Sequence, residues 1–67
     1  MITERQAKIT GVAECYLSYR DCGLDDEMAE AYARRAASEH SEDAIIADGI
    51  RQGRSHWRML QRHEATA

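Results

Sequence analysis

The chain has 67 residues, which predicts a single helical domain spanning residues 1–67. It contains no Phe or Pro and carries a net charge of −3 at pH 7, a balance that disfavours a general nucleic-acid binder. One core of this size rarely supplies more than ~3–5 kcal/mol, and the large apolar side chains here are few. We therefore expect the chain to depend on a second subunit, as a homodimer.

No apolar run approaches the ~20 residues of a membrane span, and the first residues lack the apolar segment of a signal peptide. Cys15 and Cys22 lie a heptad apart on a predicted helix, which separates their Cα atoms by ~10 Å. That distance is too long for a disulfide within the chain. We expect reduced thiols in a cytoplasmic protein, with a disulfide between two subunits as the alternative. The composition, rich in Ala, Arg and Glu, is typical of a bacterial or phage protein.

A first helix is predicted over residues 4–22. Thr3 and Gln6 have the spacing of a capping box, in which each side chain bonds the other residue's backbone amide. Apolar side chains then recur at steps of three and four, which gives the helix one apolar face. These are Ile9, Val12, Tyr16 and Tyr19. Gly23 can adopt the left-handed conformation that ends a helix.

A second helix is predicted over residues 25–38, with Asp25 as its N-cap. One row on its surface contains larger side chains and the neighbouring row contains only alanines. The first row is Met28, Tyr32 and Ala36, and the second is Ala29, Ala33 and Ala37. The alanine row stabilises little by burial, but it allows another helix to come close.

A third helix, over residues 42–63, carries the clearest apolar seam. Its members are spaced four, three, four and three residues apart, as in helix-packing surfaces. They are Ile46, Ile50, Gly53, Trp57 and Leu60. The sequence therefore predicts an all-α fold, a short bundle of three helices in which the long C-terminal helix projects past the core or pairs with another subunit.

Gly49 and Gly53 lie on the same face of the third helix as the seam. Each glycine costs a helix about 1 kcal/mol relative to alanine, so both glycines suggest that a neighbouring backbone passes close by. We expect this neighbour to be the alanine row of the second helix or the third helix of a second copy. The residues assigned to helix or dimer packing are Ile46, Ile50, Gly53, Leu60 and Tyr16.

A basic stripe follows one flank of the third helix, away from the seam. It consists of Arg51, Arg54, Arg58 and Arg62. With Trp57, these residues are the candidate contacts for an acidic protein partner, since Arg and Trp are enriched in binding hot spots. The competing interpretation is a solvated helix face with Trp57 in the core.

Other chemistry has weaker support. The histidines and cysteines form no short chelating pair, so we expect no metal site, no cofactor and no enzyme activity. An acidic cluster surrounds the first interhelical turn and is largely explained by helix capping, although part of it could face a basic partner. Its members are Asp21, Asp25, Asp26, Glu27 and Glu30.

The leading hypothesis is a small regulatory or inhibitory protein that binds a larger bacterial protein and covers one of its surfaces. A phage-encoded inhibitor of a host transcription factor or defence complex fits this profile, and so does an antitoxin-like partner. One alternative is a helix-turn-helix DNA-binding regulator, which the acidic start of the third helix disfavours. Another is a structural dimer held by a metal ion or a disulfide.

Overall fold

The computed structural model describes residues 1–66 of the chain. It contains three helices, α1 (Glu4–Asp21), α2 (Asp26–Ala37) and α3 (Asp43–Thr66). All regular structure in this part of the chain is helical, which confirms the predicted all-α fold and its long C-terminal helix. The predicted bounds agree to within one residue, except that α3 runs three residues further.

The helix ends are set by the capping residues that the sequence indicates. The Thr3 hydroxyl accepts a hydrogen bond from the Gln6 backbone amide at 3.1 Å. The reciprocal bond of the capping box is replaced, because the Gln6 side-chain amide donates to the Thr10 hydroxyl at 3.4 Å. Asp25 accepts from the Met28 amide at 2.8 Å, and Gly23 ends α1 with a φ of +101°.

The three helices run up, down and up. The α3 backbone passes Ile9 and Val12 at Gly49, and it lies beside Tyr16 four residues later. The Arg20 guanidinium lies over the Trp57 ring, one further turn along both helices. α1 and α3 are therefore parallel neighbours that pack directly on each other, and α2 runs antiparallel to both along one side of the pair.

The core is small and centred on α1. Its buried apolar side chains are Ile9, Val12, Ala13, Tyr16, Ala29, Ala33, Ile45, Ile46 and Ile50. On α2 the alanine row is the buried one, whereas Met28 and Tyr32 are 44% and 41% exposed. The Tyr32 ring stacks on Tyr19 with 5.4 Å between ring centroids. These packing residues confirm a thin core, and the homodimer stays a prediction.

The glycines of α3 do meet a close backbone, but the predicted neighbour was wrong. A Cβ atom at Gly49 would lie 2.6 Å from Val12 Cγ1 and 2.9 Å from the Ile9 carbonyl oxygen. At Gly53 it would lie 3.0 Å from the Ala13 carbonyl oxygen. The neighbour is thus α1 of the same chain, and neither the alanine row of α2 nor a second α3. The parallel crossing of α1 and α3 uses the space that two missing side chains leave.

None of the helices described combines the length and hydropathy that crossing a membrane requires.

Candidate protein-binding surface

The C-terminal part of α3 extends past the rest of the bundle. α3 has 24 residues and α1 has 18, and the two start at the same level, since Glu4 of α1 and Ile45 of α3 line one groove. At 1.5 Å rise per residue, the six extra residues carry α3 roughly 9 Å beyond the end of α1. Side chains on the seam of α3 therefore lose their α1 neighbour at about residue 60.

An apolar strip is exposed where this loss begins. Met59 is 66% exposed and Leu60 is 43% exposed. His56 and His63 line the same shallow groove on α3, and Leu60 also lines a second groove with Leu17 of α1. We call these five residues the apolar strip. Leu60, assigned to packing by its place on the seam, is thus only partly covered within the chain.

The sequence contains a second helical pattern that predicts this strip, beside the more apolar seam. Gln52, His56, Met59 and His63 are spaced four, three and four residues apart, so they form a second stripe beside the first. Two of them are histidines and one is a glutamine, which a search for apolar periodicity does not detect. Only the structure indicates that the second stripe is uncovered.

The basic stripe is divided by the fold. Arg51, Arg58 and Arg62 are exposed on the side of α3 that faces away from α1, and we call them the basic face. Arg51 pairs with Asp48 one turn earlier on the same helix. Arg54 turns instead towards α2, where its side chain is only 31% exposed.

Arg54 joins α3 to two carboxylates of α2. Its Nε donates to Asp26 Oδ1 at 2.9 Å, and a terminal nitrogen donates to Glu30. Asp26 Oδ1 also accepts from the Tyr16 hydroxyl at 2.6 Å, and Glu30 accepts from Arg34 at 2.9 Å. This polar network connects all three helices, and it shows how the basic end of the chain and its acidic middle attract each other.

The network shifts the acidity of its members. Hydrogen bonds from the Tyr16 hydroxyl and then from Arg54 lower the pKa of Asp26. The pKa of Glu30 is lowered by Arg34 and then Arg54, and the two carboxylates hold the pKa of Arg54 above its ordinary value. All three groups are therefore charged at neutral pH. Arg54 acts as an internal tie between helices.

Trp57 belongs to the edge of the core. Its ring is half-buried, and the Arg20 guanidinium carbon lies 5.0 Å above its centroid, a cation–π distance. Arg20 also donates to the Leu24 carbonyl oxygen at 3.1 Å, which fixes the turn after α1. Trp57 thus closes the end of the bundle and lies outside the basic face.

The acidic cluster is divided in the same way. Asp25 caps α2, while Asp26 and Glu30 belong to the Arg54 network. Asp21 and Glu27 are exposed. Most of this cluster therefore has a role within the fold, and Asp21 remains as an acidic group at the edge of the apolar strip.

The two cysteines differ in their surroundings. Cys15 lies in the groove between α1 and α2 beside His40, and Cys22 is exposed. Burial raises the pKa of the Cys15 thiol, which disfavours the thiolate that nucleophilic chemistry needs. Within residues 1–66, no three His, Cys, Asp or Glu side chains lie close enough together to hold a metal ion.

No protein-family model, curated protein or solved structure matches this chain significantly. Its function is therefore inferred from the surfaces that the three helices present.

Proposed function

We propose that the chain is a small cytoplasmic regulatory or inhibitory protein that binds a larger protein, works as a homodimer and covers an acidic surface of its partner. The observation that carries the proposal is the exposure of Arg51, Arg58 and Arg62 together on the side of α3 that faces away from α1. A bacterial or phage setting, with a transcription factor, a defence complex or a toxin as the partner, agrees with this profile.

The basic face is the contact surface that we propose for the larger partner. It is exposed on a chain whose net charge is −3, so its sign is opposite to the net charge of the molecule. Separated charge of this kind steers a partner of opposite charge and fixes its orientation. We exclude Arg54 and Trp57 from this surface, because Arg54 pairs with α2 and Trp57 packs under Arg20.

Site-specific photocrosslinking in the organism that encodes the chain tests this proposal. A photoreactive residue at Gln61 lies beside Arg58 and on the opposite side of α3 from the apolar strip, so contact between two copies should not label it. We expect a covalent adduct with one larger protein. The same photoreactive residue in place of Glu39, in the turn after α2, should give no such adduct.

A matched pair of charge reversals completes the test. Arg58→Glu should reduce the Gln61 adduct about tenfold or more, because the contact loses a cation and gains a repulsive charge. Arg35→Glu makes the same charge reversal at an exposed arginine of α2 and should leave the yield of the adduct unchanged. Equal yields from the Gln61 and Glu39 positions, no adduct at Gln61, or an adduct insensitive to Arg58→Glu would contradict the proposal.

A DNA-binding regulator is the alternative that the charges disfavour. α3 begins with Asp43, and Asp48 accepts hydrogen bonds from both Arg5 and Arg51. In a helix-turn-helix protein these first turns would contact bases, where carboxylates repel phosphates. We expect no gel shift on mixed DNA at low salt and micromolar protein. A shift that fades steeply as salt rises would favour the alternative.

A further inference from the structure

The apolar strip has edges of opposite charge. At 100° of rotation per residue, Arg62 lies about 60° from Met59 on the wheel of α3, and it forms the outer edge on that side. On the other side the groove beside Leu60 is bounded by α1, whose residues Glu14 and Asp21 line it. The strip therefore has a basic edge on α3 and an acidic edge on α1.

Opposite edges restrict how two copies of the chain can pair through this strip. A twofold axis parallel to α3 brings the basic edge of one copy against the acidic edge of the other, on both sides. A twofold axis perpendicular to α3 makes the helices antiparallel and brings each edge against its own kind. Only the parallel pair places opposite charges against each other at both edges, as at the flanking positions of parallel coiled coils.

We propose that a second copy of the chain covers the apolar strip, in a parallel dimer whose twofold axis runs alongside α3. Met59 and Leu60 of the two copies pack near the axis, between His56 and His63. Arg62, the member of the basic face nearest the strip, lies opposite Asp21 of the other copy, and Arg51 and Arg58 stay open to the larger partner. The inference rests on the dimer in the proposed function, but it does not depend on the larger partner.

The contact that such a pair needs is a modest share of the surface of the chain. A standard dimer contact takes ~800 Å² from each subunit, which is roughly one sixth of the 4977 Å² that this chain exposes. The molecule is 37 Å long and 15 Å thin, so the α1–α3 side provides a broad, elongated face. Burying Met59 and Leu60 there also adds apolar contacts to a core that contains few large side chains.

The mass of the purified chain in solution, measured by sedimentation equilibrium, is the first test. We expect a mass of twice 7.6 kDa that dissociates to the monomer on dilution. Met59→Glu should weaken the dimer at least tenfold, because it places charge at the centre of the contact. Met28→Glu, which changes an exposed methionine on α2, should leave the dimer intact.

Single cysteines then distinguish the parallel from the antiparallel pair. The background for this test carries Cys15→Ser and Cys22→Ser. A parallel twofold alongside α3 brings the strip residues nearest the axis, His56 and His63, each to its own copy. His56→Cys and His63→Cys should therefore each form a disulfide-linked dimer under mild oxidation. In an antiparallel pair the twofold axis crosses α3 at one level, so only a residue at that level lies next to the same residue of the other copy. Since these two positions are ~10 Å apart along α3, they cannot both be at that level.

A charge swap tests the edges. Asp21→Arg and Arg62→Asp should each raise the dimer dissociation constant roughly threefold or more, and the double variant should recover towards the parent value. A monomer at all concentrations, or a disulfide at only one of the two cysteine positions, would overturn the inference. A monomer would also remove the homodimer from the proposed function, but it does not bear on the crosslink at Gln61. A missing Gln61 adduct leaves the solution mass unchanged, so the dimer and the larger partner are tested separately.

Discussion

The two halves of α3 have the same spacing of apolar side chains but lie in different surroundings. In the first half Ile46 and Ile50 are each 2% exposed, whereas Leu60, on the same seam in the second half, is 43% exposed. The difference arises because α1 ends at Asp21, level with Leu60 within the second half. A helical seam thus identifies a packing face, but where the chain itself covers that face depends on the length of the neighbouring helix.

Truncating one side chain in each half of α3 should give the largest difference in the free energy of unfolding. Ile50→Ala should lower the free energy of unfolding by about 3 kcal/mol, because it leaves a cavity in the core. Leu60→Ala removes a side chain that is 43% exposed and should cost only about 1 kcal/mol. Urea denaturation at low protein concentration, where the monomer is measured, gives both values. Equal losses would show that Leu60 is already covered in the single chain.

Replacing glycines by alanine should give the next largest change in the free energy of unfolding. Gly49→Ala places a methyl group 2.9 Å from the Ile9 carbonyl oxygen and against the Val12 side chain, so α1 and α3 must separate. We expect a loss of about 2 kcal/mol in the free energy of unfolding, although alanine favours a helix. Gly11→Ala on α1 meets no atom within 4 Å and should stabilise the chain by about 0.5–1 kcal/mol. If both variants were stabilised, the close approach of α1 and α3 would be wrong.

Local features of the fold could be predicted from the sequence. The caps at Thr3 and Asp25 and the positive φ of Gly23 follow from a few neighbouring residues. The buried pair Ile46 and Ile50 follows from periodicity alone. These features need no knowledge of how one helix lies against another.

Features that depend on the placement of whole helices could not be predicted. Arg54 belongs to the same stripe as Arg58, but the position of α2 gives it two carboxylate partners. Gly49 predicts a close backbone without indicating which helix supplies it. The exposure of Leu60 depends on where α1 ends relative to α3, a relation between residues about 40 positions apart in the chain.

Acidification should give the smallest change in the free energy of unfolding, through the Arg54 network. This network lies between the covered and uncovered halves of α3. The pKa values of Asp26 and Glu30 are lowered in the folded chain, so on acidification the unfolded chain binds protons first. Their contribution is complete above the ordinary carboxyl pKa of about 4 and is lost as the pH falls through the lower folded values. Asp26 is half-exposed, so we expect less than about 1 kcal/mol from it.

Urea denaturation across acidic pH measures this contribution. Asp26→Asn should flatten the decline in stability below about pH 4, because the group that titrates is removed. Glu39→Gln, in the turn before α3, should leave the decline as it is. An unchanged slope in Asp26→Asn would mean that the Arg54 contacts are replaced by water in solution. α2 would then be held to α3 by apolar packing alone, in the core that Ala29 and Ala33 share with Ile46 and Ile50.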